Sequence, residues 1–167
     1  MMSIIRRKDR GFSLVELVIV VMIIGVIAAI AIPRLSRGAR TAGGSSLKAD
    51  LGQLRNAIEL YAAEHEGRYP DADIANQLVS YTKVDGTDAN AQMDASTGRV
   101  YGPYLKEIPA LKVGTKKGAT AIFTTTAATL PGGAATDGWW YNTSTHAIKA
   151  NLPDTDVDDD GTAYNTY

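Results

Sequence analysis

Glu16 is the only charged residue in the run from Phe12 to Ile32. A helix of that length crosses roughly 30 Å of hydrocarbon. A carboxylate held there costs on the order of 3 kcal/mol even on lenient insertion scales, so it persists where something neutralises it. If the chain were cut between Gly11 and Phe12, the freed amine would lie one helical turn from Glu16, or within reach of the Glu16 of an adjacent copy. The Gly11/Phe12 boundary and the buried acid then account for each other.

A second constellation closes the sequence. Asp156, Asp158, Asp160 and Gly161 form D-x-D-x-D-G, the first half of a calcium loop, in which alternate carboxylates converge on one hard cation and glycine makes the tight turn. Asp154 and Asp159 are further candidate ligands, and this density of like charge repels itself unless neutralised. Position twelve of such a loop is Tyr167 rather than glutamate, which excludes a complete EF-hand and requires backbone carbonyls or water among the ligands. The alternative is a solvated acidic tail.

These residues must be positioned by a small set of elements. The leader 1–11 holds Arg6, Arg7, Lys8 and Arg10 against Asp9, a basic flank that stays on the cytoplasmic side. Residues 12–33 are expected to form a transmembrane helix. A secretory signal peptide would also offer a basic start and the exit Ala29-Ile30-Ala31, but its apolar region is shorter and poor at holding an acid. A plain single-span anchor with Glu16 at the interface is the other alternative. Arg34, Arg37 and Arg40 follow on the far side, as a solvated flank or as contacts to headgroups and acidic neighbours.

Pro33 and the glycines at 38, 43 and 44 predict a kink or loosening before the helix resumes as an amphipathic continuation over 34–66. Leu47, Leu51, Leu54, Ile58 and Tyr61 recur at helical spacing, and Gly67 with Pro70 ends the element. Residues 67–110 connect helix to sheet, with a short helix around Ile74, Leu78 and Val79 and turns at Asp85-Gly86 and Thr97-Gly98. Residues 111–151 are expected to form an antiparallel sheet. It would combine the β-branched stretch 120–126 with a hairpin of Trp139-Trp140-Tyr141 against His146–Ala150, with one of the two tryptophans pointing inward. The acidic loop 152–167 completes the chain, and the fold class is α+β.

The run Arg10-Gly11-Phe12-Ser13-Leu14-Val15-Glu16-Leu17, with its basic leader and Pro33, resembles the processing signal of type IV prepilins and type II secretion pseudopilins. Leu54–Tyr61 followed by Gly67-Arg68-Tyr69-Pro70 is similar to the helix exit of the major pseudopilin branch, and Tyr101–Lys106 resembles that family's G-P-Y-L element, with Tyr104 and Leu105 as packing residues. The resemblance implies a long N-terminal helix on a small sheet. It also implies a prepilin peptidase that cuts after Gly11 and methylates Phe12, and recruitment of subunits through Phe12 and Glu16. Gly25 and Pro33 would bracket a segment that loses helical structure on assembly, and a C-terminal loop would bind calcium. The implied partners are copies of this chain in a homopolymer, other pseudopilins, membrane lipid before assembly, and an inner-membrane platform driven by a cytoplasmic ATPase. The implied location is a single pass through the inner membrane, then a filament across the periplasm. A type IV pilus subunit or a DNA-uptake pseudopilin are the alternatives.

The sequence has no cysteine, so no disulfide ties down its end, a departure from many pilins that points toward the pseudopilin branch. The net charge is −1; Arg6, Arg7, Lys8 and Arg10 against Asp9 give the leader +3 and leave the remainder at −4, an acidic balance that, with only the short Lys116-Lys117 pair, argues mildly against nucleic-acid binding. His65 and His146 have no metal or triad spacing and are expected to be exposed. No nucleophile elbow or phosphate loop is present, so no enzymatic activity is expected.

Overall fold

The computed structural model describes residues 12–127 and 136–167, and at 33–37, 39 and 40 its backbone alone. The leader and Gly11 therefore lie outside the described residues, as do the side chains of Pro33, Arg34, Arg37 and Arg40.

Helix α1 runs from Leu14 to Glu64. Its contacts divide the chain into two units, 1–39 and 40–167. In the first unit every large apolar side chain from Phe12 to Ile32 is exposed, Val20 least at 49%. Helical backbone continues through Gly25, Pro33 and the glycines at 38, 43 and 44, so the residues expected to kink or loosen the helix do not break it. A proline costs roughly 3 kcal/mol in a helix interior, a penalty that the many remaining hydrogen bonds of a helix this long absorb. A Cβ added at Gly25 would meet nothing, so a single chain gives no steric reason for glycine there.

In the second unit, Leu47, Leu51, Leu54, Ile58 and Tyr61 are buried along one face of α1, as the four- and three-residue spacing requires. The helix stops where Glu66 (φ 57°) and Gly67 (φ 81°) turn left-handed. The Gly67 N–H reaches back to the Ala62 carbonyl at 2.8 Å, a cap that glycine adopts without a Cβ penalty. Helix α2, Ile74–Val79, adds Ile74 and Leu78 to the same core.

Three strands follow: β1 (Ala121–Thr125), β2 (Asp137–Asn142) and β3 (Ile148–Ala150), in that spatial order. The sheet is mixed. β2 and β3 pair antiparallel as the hairpin pattern predicts, with Trp139 opposite Ala150 and Tyr141 opposite Ile148. The turn is held by Asn142, whose side-chain oxygen accepts the N–H groups of Ser144 and Thr145 at 2.8 and 2.9 Å. β1, however, runs parallel to β2, which departs from a wholly antiparallel sheet. Residue spacing within β1 carries no information on strand direction.

Trp139 and Tyr141 face the core that α1 lines. Trp140, on the other face beside Phe123 and Lys149, is nonetheless only 3% exposed, so both tryptophans are buried, on opposite sides of the sheet. His65 is also buried, contrary to its expected exposure. It stacks on Tyr61 at 3.8 Å, and its ring nitrogens lie 2.7 Å from the Tyr61 carbonyl and 2.8 Å from the Thr82 hydroxyl. His146 is half-buried and stacked on Tyr69. The loop after α2 closes beneath this cluster. Leu105 is buried, and the backbone N–H groups of Tyr104 and Leu105 both donate to the Leu78 carbonyl, while the Tyr104 hydroxyl donates to Glu64 at 2.7 Å. Both residues pack as expected.

Candidate functional site

The segment Leu14–Ile32 has a mean hydropathy of 3.1 and is long and apolar enough to cross a membrane. At its start, Glu16 is exposed and one of its oxygens accepts the Ser13 N–H at 2.9 Å. The Ser13 hydroxyl in turn accepts the Val15 N–H at 3.3 Å. Together these form a reciprocal cap: serine before the first turn and glutamate three residues on satisfy donors that the helix leaves open. The signature S-x-x-E for this cap stands in the sequence at Ser13 and Glu16.

The cap fixes where the carboxylate sits. It lies over the first turn, one peptide away from the Phe12 nitrogen, and Phe12 itself is 82% exposed. A negative charge over open N–H groups is also favoured by the helix dipole. This geometry stands in a single chain, without any second helix.

The acidic loop is arranged differently from an ion cage. Asp154 Oδ1 accepts the Asn165 side-chain N–H at 2.7 Å. Asp156 Oδ2 accepts both the N–H and the hydroxyl of Thr115, at 2.7 and 2.8 Å. Asp158 Oδ1 accepts the N–H groups of Asp160 and Thr162, and its other oxygen takes the Tyr167 hydroxyl. Asp159 Oδ2 accepts the Thr41 hydroxyl at 2.6 Å, and Asp160 is exposed. Among the described residues no group of three or more His, Cys, Asp or Glu is placed to hold a metal ion. Asp156, Asp158 and Asp160 therefore do not form the three-carboxylate cage that their alternating spacing suggests, and Asp156 and Asp158 already accept donors from the protein.

These contacts shift titration. The Tyr167 hydroxyl, then backbone N–H groups, hold the Asp158 carboxyl below its ordinary value of 3.8, and the same contact raises the Tyr167 phenol to about 12. Because Asp158 is depressed in the folded state, its contribution is fully present above about pH 4 and is lost as pH falls through the folded value. Protection of the amides in residues 156–167, taken relative to the intrinsic exchange rate at each pH, is therefore expected to be higher at about pH 5 than at about pH 2.5; equal protection at both would show that the contact is not made in solution.

Comparison with known proteins agrees with the geometry at the N-terminus. Residues 6–32 match the family model described as the prokaryotic N-terminal methylation motif. The chain is similar to the type II secretion system core protein G of Aeromonas hydrophila, 30% identical over 108 residues that cover 62% of this chain and 67% of that protein. The corresponding protein of Escherichia coli is 29% identical over 104 residues, covering 62% and 66%. The type IV major pilin protein PilA of Myxococcus xanthus is 41% identical over 71 residues, 42% of this chain and 31% of the pilin. The match thus spans about two thirds of the first two relatives and a third of the pilin. No solved structure matches significantly.

Proposed function

We propose, starting from the fact that this chain belongs to the type IV pilin and type II secretion pseudopilin family, that it is a structural subunit of a type II secretion pseudopilus supporting export across the outer membrane. The observation that carries this is the helix Leu14–Ile32, exposed on every side, with one carboxylate at its start. Such a surface is compatible with lipid, or with a bundle of identical helices, but not with water.

The mechanism is assembly rather than catalysis. A prepilin peptidase cuts between Gly11 and Phe12 and methylates Phe12. The processed chain waits in the inner membrane with its C-terminal unit in the periplasm. An incoming subunit presents its Phe12 amine to Glu16 of its neighbour, the apolar helices bundle, and a platform driven by a cytoplasmic ATPase draws the subunit out of the lipid among copies of itself and other pseudopilins. Gly25 and Pro33 bracket the segment that adjusts its helical form as neighbours pack. The similarity to protein G extends well past the shared helix, which favours the secretion role. The higher but shorter identity to PilA supports a second reading, a type IV pilus subunit.

Deleting the chain separates the two. The secretion reading expects exported proteins to accumulate in the periplasm while surface motility persists; the pilus reading expects motility to be lost while export continues. In both cases mass spectrometry of the mature chain is expected to find N-methylated Phe12 at its start. A chain still carrying residues 1–11 in filaments would contradict either reading.

A further inference from the structure

The aspartates of the C-terminal loop already have donors, and those donors come from distant parts of the chain. Thr115 clasps Asp156 from the turn that precedes β1, Thr41 reaches Asp159 from α1, and Tyr167 folds back on Asp158. Tyr167 is held at two further points. The Lys48 ammonium sits 4.2 Å above its ring, and Arg55 donates to its carbonyl at 2.6 Å while also approaching the Ile148 carbonyl at 3.4 Å. Lys48 and Arg55 both belong to α1, so the last residue is fixed against the helix by cations.

A third cation is nearby. Lys116 and Asp154 line the same cleft, of about 400 Å³, together with Asn151, Leu152 and Asn165, and the Lys116 amine is buried with no hydrogen-bond partner among the described residues. A buried ammonium lining the same cleft as this carboxylate lowers the gain from bringing in a divalent cation, because like charges repel and the ion would also lose its water. The turn that carries Thr115 packs closely on the loop: a Cβ on Gly114 would lie 2.6 Å from Asp156 Oδ2 and 2.7 Å from both Leu152 methyls.

We propose that loop 152–167 is a calcium-independent latch, in which Thr115 and Tyr167 clasp Asp156 and Asp158 while Lys48, Arg55 and Lys116 supply the positive charge. The latch takes the place that a disulfide or a bound divalent ion would otherwise fill in fastening the C-terminal end onto α1. It does not depend on whether the chain serves a pseudopilus or a pilus.

The test uses the full chain in detergent micelles, with calcium chloride as the probe, and follows thermal unfolding by the fluorescence of Trp139 and Trp140. A bound calcium ion at a hundred times its dissociation constant would raise the midpoint by roughly 5–10 °C in a domain of this size. The latch predicts the same midpoint, within about 2 °C, in millimolar calcium and in excess chelator; a larger rise with calcium overturns it. Thr115→Val and Tyr167→Phe are expected to lower the midpoint by equal amounts in the two buffers. Loss of a calcium-dependent shift in Asp156→Asn would likewise overturn it, by showing that this carboxylate serves the ion. Because no filament is needed, a failure here leaves the assembly reading untouched.

Discussion

Replacing Glu16 by glutamine is expected to abolish filament formation while leaving processing at Gly11/Phe12 and the folded C-terminal unit intact. Alanine should do the same, but glutamine decides the cause. Glu16 has two separable roles: it caps the start of α1 through the Ser13 N–H, and it carries the only charge in the membrane-length run. A capping box accepts glutamine as well as glutamate, so Glu16→Gln retains the cap, which is worth about 1 kcal/mol, and removes only the charge. Neutralising a terminal amine in an apolar bundle requires that charge. An unpaired ammonium left there costs on the order of 3 kcal/mol even on insertion scales, more than a hundredfold for each subunit added. Counting sheared filaments by electron microscopy, alongside the mass of the membrane-bound chain, reads assembly and processing separately. Normal filaments from Glu16→Gln would reduce Glu16 to a helix cap.

The largest effect on stability is expected from Trp139→Ala. Trp139 is fully buried between β2 and the α1 face, and its indole N–H donates to the Pro109 carbonyl at 2.7 Å. Removing it forfeits the burial, opens a cavity and orphans a carbonyl, a loss of about 3–5 kcal/mol. In a unit of this size the midpoint should fall by on the order of 10–20 °C. The neighbouring Trp140 gives the contrast. It is nearly as buried, but its indole N–H has no partner among the described residues, so Trp140→Phe removes an unsatisfied donor and should cost less than Trp139→Phe, which breaks a made bond. Denaturant unfolding of the three variants in one detergent checks the order. Equal losses for the two phenylalanine variants would mean that the Pro109 bond contributes nothing net.

Local patterns carried most of what the sequence disclosed. The apolar run, the Leu47–Tyr61 face, the glycine that ends α1 and the β2–β3 hairpin each depend on residues a few positions apart, where periodicity and turn chemistry act directly. What was hidden depends on distant neighbours. The direction of β1 is a matter of its pairing with β2 and not of spacing within the strand. The burial of His65 follows from Tyr61, Thr82 and Tyr104 closing around it. The aspartates at 156, 158 and 160 have a spacing that suits one ion, yet Asp156 turns to Thr115, a donor that no local pattern announces. The cap on Glu16 was local and legible, and it was obscured because a lone acid in an apolar run suggests a charge partner before it suggests a helix start.

The account stands on Glu16 meeting a terminal amine inside the assembled filament, and the most direct measurement is the structure of that filament by electron cryomicroscopy. The prediction is a Glu16 carboxylate oxygen within about 4 Å of the Phe12 nitrogen of a neighbouring subunit. A carboxylate that touches only its own Ser13, with every Phe12 amine placed elsewhere, would contradict it.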